Sequence, residues 1–121
     1  MKGPIENKII TLYRKIISSL VCIEKRSKDN VIADKANIYL NDFINQYELY
    51  RNKKNINNFK FSYNLEDIIN FCNECYSKVE IFDFAEDVEY GIKELLEVIN
   101  KKWKNEDNWY RLMDHSISFC I

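Results

Sequence analysis

Apolar residues recur at steps of three and four through most of the chain, the spacing that a helix of 3.6 residues per turn gathers onto one side. A first helix is predicted from about Ile5 to Lys25, with Ile9, Leu12, Tyr13, Ile16, Ile17, Leu20 and Ile23 as its inner stripe. Ser27-Lys28-Asp29-Asn30 interrupts the pattern and supplies a capping residue for a second helix. The stripe of that helix is Ile32, Ala36, Tyr39, Leu40, Phe43, Ile44, Tyr47 and Tyr50. Arg51 to Asn58 is polar and without period, a loop between helices expected to pack antiparallel.

Phe59, Phe61 and Tyr63 alternate with Lys60 and Ser62, a short strand-like period that the tail from Ser116 to Ile121 repeats. A minor two-stranded element over 59–63 and 117–121 is thus an open alternative. Asn64 is placed to cap a third helix with Glu66 and Asp67 in its first turn and a stripe of Leu65, Ile68, Ile69, Cys72, Cys75, Tyr76 and Val79. The fourth helix, Asp83 to Lys104, carries the clearest pattern: Phe84, Val88, Ile92, Leu95, Ile99 and Trp103 on one face, with Asp83-Phe84-Ala85-Glu86 as a capping box. Glu89–Lys93 and Glu97–Lys101 are spaced for ion pairs one turn apart. Trp109 to His115 is expected to form a short last helix. The fold class is therefore all-α, an antiparallel bundle of four to five helices.

Length and composition agree with that pattern. The 121 residues suit one domain, 1–121, large enough for a core without metal or disulfide support. Two glycines and one proline argue against a turn-rich β fold, and 46% hydrophobic residues argue against disorder. The longest nearly uncharged run, Ile16 to Ile23, is too short to span a bilayer. Cys22, Cys72, Cys75 and Cys120 lack the regular spacing of a secreted disulfide framework, so a reducing cytoplasm is expected.

Charge changes the picture more. Residues 1–60 hold twelve Lys and Arg against six Asp and Glu, whereas residues 61–121 hold six against thirteen. If the halves also part in space, the acidic surface attracts a basic partner.

The chemistry on offer is sparse. Cys72-Asn73-Glu74-Cys75 together with His115 and Cys120 has the ligand types of a zinc site, but His115 and Cys120 lack its paired spacing, and Cys72 and Cys75 already fit a buried helical stripe. Arg111 and His115 lie one turn apart, like the Arg and His of helical HEPN ribonucleases, with a shorter gap than that family uses. Arg51, Lys53, Lys54 and Lys60 beside Phe59, Phe61 and Tyr63 suit phosphate and base contacts, but elsewhere the basic residues are dispersed among acids. No Walker loop, G-x-S-x-G or dinucleotide turn is present, so no cofactor and no metal is expected.

Tyr90 remains, set on the polar side of the fourth helix with Glu86 and Asp87 one turn before it, Lys93 and Glu94 one turn after, and Asp83 and Glu97 extending the patch. A central aromatic commonly anchors a protein interface while surrounding charges govern approach and partner choice. The alternative is a solvated helix face with one exposed tyrosine. A small helical chain with this acidic segment resembles the α-helical immunity proteins of bacterial toxin systems, of the colicin and contact-dependent-inhibition kinds. That resemblance implies a non-enzymatic inhibitor that binds a cognate nuclease toxin domain, a basic protein, through the acidic face. A HEPN-like ribonuclease and a helical nucleic-acid-binding or adaptor module are the alternatives.

Overall fold

The computed structural model describes the backbone of residues 4–53 and 65–104 and the side chains of residues 7–52 and 66–98. Four α-helices fill these residues: α1 (Pro4–Arg26), α2 (Asn30–Lys53), α3 (Leu65–Cys75) and α4 (Phe82–Lys104). Proline at the first position of α1 costs no hydrogen bond, because that N–H has no partner within the helix. Asp29 caps α2: its Oδ1 accepts the N–H groups of Val31 at 2.9 Å and Ile32 at 3.4 Å, while its own N–H donates to Ser27 Oγ at 3.1 Å. Glu66 and Asp67 occupy the first turn of α3, at the positive end of its dipole.

Each helix packs against its neighbours in chain order, and α1 closes the ring against α4, making an all-α bundle. α1 is packed most extensively, along both α4 and α2. α3, with only 11 residues, covers part of the length that α2 and α4 offer. The antiparallel course of α2 and α3 shows in the Lys35–Glu74 ion pair and in the Tyr39 and Phe71 rings, whose centroids lie 5.2 Å apart.

The core follows the predicted stripe on α1 closely, with Ile9, Leu12, Tyr13, Ile16, Leu20 and Ile23 all buried. Tyr13 sits within an aromatic group, 6.2 Å from Phe43, 5.9 Å from Tyr47 and 6.3 Å from Tyr50 between ring centroids. Burial first, and the nearby Tyr50 second, push its phenol far above the ordinary range.

Several expectations need correction. α2 continues through Lys53, so Arg51 belongs to the helix and stacks its guanidinium 5.5 Å from the Tyr47 ring. Ile44 is exposed, while Gln46, a polar residue outside the predicted stripe, is buried. Phe71 enters the core of α3, where it was not expected. α3 stops at Cys75, which leaves Val79 outside the helix and exposed. α4 opens at Phe82, so Asp83 lies in its first turn as a favourable negative charge rather than at the cap. On α4, Ala85, Val88, Ile92, Leu95 and Val98 are buried and Phe84 is half-buried beneath the Arg26 guanidinium. The side chains of Leu65, Ile99, Lys101 and Trp103 lie outside the described residues, as do Asn64, segments 59–63 and 117–121, and the expected helix from Trp109 to His115.

Candidate functional site

The outer face of α4 is positioned by its seam with α1. The two helices run antiparallel, and Gly91 lets them approach closely, because the side chain of Ile16 occupies the space a Cβ there would need. Close approach lets long side chains on the edge of α1 reach across. Lys15 Nζ lies 3.9 Å from Asp87 Oδ1 and Lys8 Nζ lies 3.9 Å from Glu94 Oε2. Both intervals, Lys8 to Lys15 and Asp87 to Glu94, are two helical turns, so the two pairs form a matched ladder along the seam. Lys15 Nζ also sits 5.1 Å from the centre of the Tyr90 ring, a cation–π contact.

The six predicted residues therefore divide. Asp87 and Glu94 are half-buried and already meet lysines of α1. Asp83, Glu86, Tyr90 and Glu97 are exposed, and Tyr90 keeps 55% of its surface accessible. The Glu94 carboxylate, accepting from the phenol and repelling a phenolate, raises the Tyr90 pKa, so Tyr90 is a neutral donor at physiological pH. The arrangement offers a flat aromatic ring with acid on several sides and one lysine on its α1 flank.

Among the described residues the charge division along the chain is not kept apart in space. Lys8–Glu94, Lys15–Asp87 and Lys35–Glu74 each join a base from the first half to an acid from the second. The ring order of the bundle brings the basic α1 alongside the acidic α4, and sets Lys35 of the neutral α2 opposite Glu74 of α3. These pairs are solvent-accessible and worth about 0–1 kcal/mol each, but they reduce the net field of the acidic face.

On its other flank, α4 is tied to the end of α3. Tyr76 Oη donates to Glu89 Oε1 at 2.6 Å, and Lys93 Nζ donates to Glu89 Oε2 at 2.6 Å. The Lys93 hydrogen bond, then that of Tyr76, holds the Glu89 carboxyl below the usual carboxylate range. Burial, then the bond to Glu89, pushes the Tyr76 phenol upward. The Glu89–Lys93 pair was expected from spacing; its third member was not.

Cys72 and Cys75 are buried on α3, as the stripe predicts. Burial pushes the Cys75 thiol up to about 12 and Cys72 higher, which keeps both protonated and unsuited to nucleophilic work. Among the described residues no cluster of three His, Cys, Asp or Glu side chains is arranged to hold a metal, and no helix is long and apolar enough to cross a membrane. His115, Cys120 and Arg111 lie outside the described residues, as do Lys54, Lys60, Phe59, Phe61, Tyr63 and the side chain of Lys53.

Two contributors to this surface, and two exposed apolar residues near the start of α4, were missed. Lys8 and Lys15 were detectable as a pair seven residues apart, matching Asp87 and Glu94. Phe82 and Val79, both exposed, depended on where α3 ends and α4 begins. Compared with protein families, curated proteins and solved structures, the chain matches none.

Proposed function

We propose that this protein is a non-enzymatic binding protein, an immunity or antitoxin-like inhibitor that meets a basic protein, a cognate toxin domain, in the cytoplasm. The observation that carries this reading is Tyr90, a large aromatic residue more than half exposed on a regular helix among Asp83, Glu86 and Glu97. Burial of an aromatic anchor supplies affinity, and the surrounding carboxylates speed encounter with a basic surface and disfavour acidic ones. Asp87 and Glu94, tied to Lys15 and Lys8, hold the edge of the face in register.

The test asks first whether a gene neighbouring this one encodes a toxin domain, and then whether this chain protects cells that express that domain; a neighbourhood without one would count against the reading. Tyr90→Ala combined with Glu86→Lys should abolish protection while thermal unfolding stays within a few degrees of the parent. Glu86 suits the charge reversal because it is exposed, whereas Glu94 is half-buried beside Lys8. Full protection by the folded double variant would exclude this face as the binding site.

A further inference from the structure

Beyond the face around Tyr90, two more exposed apolar residues stand at the turn between α3 and α4 and at the first residue of α4. Val79 is 90% exposed and Phe82 is 38% exposed, with the Phe82 ring centroid 5.2 Å from that of Tyr76. The turn is well braced. Lys78 N–H donates to Cys75 C=O at 2.9 Å, Ile81 N–H to Lys78 C=O at 3.1 Å, and the backbone N–H of Lys28 reaches Glu80 Oε2 at 3.3 Å. Val79 is thus presented by a hydrogen-bonded turn joined to the α1–α2 connection.

Phe82, Glu86 and Tyr90 follow one another at steps of four, a continuous ridge along α4. The two aromatic residues stand about 12 Å apart along the axis, at 1.5 Å per residue. Asp83 and Glu86 lie between them, both exposed. Scattered apolar residues on a surface need no explanation, but a ridge that alternates apolar and acidic residues has a defined complement.

We infer that Val79 and Phe82 form a second anchor of the same interface, and that its occupant is a basic protein surface with two apolar recesses separated by Lys or Arg. This rests on the reading of Tyr90 as a binding residue. Charge selects the occupant. A second copy of this chain would set Asp83 and Glu86 against their own kind, and a nucleic acid or an anionic bilayer would be repelled in the same way.

The test places a photo-crosslinking benzoylphenylalanine at position 79 or at position 90 of the full chain in its native host, with position 45 on α2 as control. The expected result is one basic protein crosslinked from both 79 and 90 and not from 45. Once that protein is purified, Val79→Ser with Phe82→Ser should weaken its binding about tenfold or more, the size of an anchor residue. Crosslinking from 90 alone, with unchanged affinity of the double variant, would overturn the second anchor and leave Tyr90 intact. No crosslink from either position would remove both. A crosslink from both positions to another copy of this chain, or to a protein without a basic surface, would overturn the assignment of the occupant.

Discussion

Gly91 of α4 and Ile16 of α1 meet so closely that a Cβ added to the glycine would lie 2.7 Å from Ile16 Cγ1 and 3.3 Å from its Cδ1. Glycine inside a helix ordinarily costs roughly 0.5–1 kcal/mol relative to alanine. Here that cost permits the approach that carries Lys8 and Lys15 across to Glu94 and Asp87. Gly91→Ala should destabilise the fold by about 1 kcal/mol, since overpacking at ~1–3 kcal/mol outweighs the gain in helix propensity. With Ile16→Ala, which vacates the space at its own cost, the same Gly91→Ala change should become neutral or stabilising. Urea unfolding of the four proteins reads the coupling, and a rise in stability for Gly91→Ala alone would show that the seam yields without strain.

Asp29 bears on the opposite end of the ledger between local and tertiary effects, because its carboxylate acts on two N–H groups of its own helix. Asp29→Ala should cost about 1 kcal/mol, and Asp29→Asn or Asp29→Ser should recover most of it. Thermal unfolding checks both. An alanine variant as stable as its parent would mean that solvent satisfies the first turn of α2 equally well.

Glu89 links acid sensitivity to the α3–α4 contact. Its folded-state pKa is depressed, so its contribution is present above the unfolded value and is lost as pH falls through the lower, folded one. Tyr76 works at the other limit: its raised pKa gives a contribution present below the ordinary tyrosine range and lost in strong alkali. Glu89→Gln should therefore flatten the fall in stability below about pH 4.5, the ordinary glutamate range, while lowering stability near neutrality. Denaturant titrations between pH 3 and 7 decide the matter. Parallel curves for parent and variant would show that Glu89 titrates alike in both states.

Much of this architecture was legible where helix period and burial coincide. The α1 stripe from Ile9 to Ile23 is buried nearly throughout because this helix packs against both α2 and α4. Legibility failed where a local pattern outlasted its element. Val79 continues the spacing of Cys72, Cys75 and Tyr76, yet the chain turns after Cys75, with Ser77 Oγ donating back to Glu74 C=O and no glycine or proline to mark the end. Phe71 was missed although it stands three residues after Ile68 and four before Cys75, the spacing of the buried stripe, where it packs its ring against Tyr39. For the candidate site, the acidic composition of α4 could be read from spacing, but the lysines that meet Asp87 and Glu94 belong to a helix some eighty residues earlier. Their arrival depends on α1 closing the ring against α4, which no local period encodes.

Lys15 is the residue through which that closure reaches the proposed interface. Its ammonium lies 5.1 Å from the Tyr90 ring centre and 3.9 Å from Asp87, so it cancels part of the negative field of the face meant to attract a basic partner. Lys15→Gln keeps the Cβ and Cγ methylenes of the stem and removes the charge. Stability should change by no more than about 1 kcal/mol, as for other accessible ion pairs. The association rate with the basic protein crosslinked at position 90 should rise severalfold at low salt. That advantage should shrink as the screening length falls from about 30 Å at 0.01 M to about 8 Å at 0.15 M ionic strength. Stopped-flow measurements across that range separate the two roles open to Lys15. A faster, salt-sensitive variant marks it as a brake on encounter, whereas a variant that binds more slowly at every salt concentration would mean that Lys15 holds the Tyr90 ring in its binding orientation.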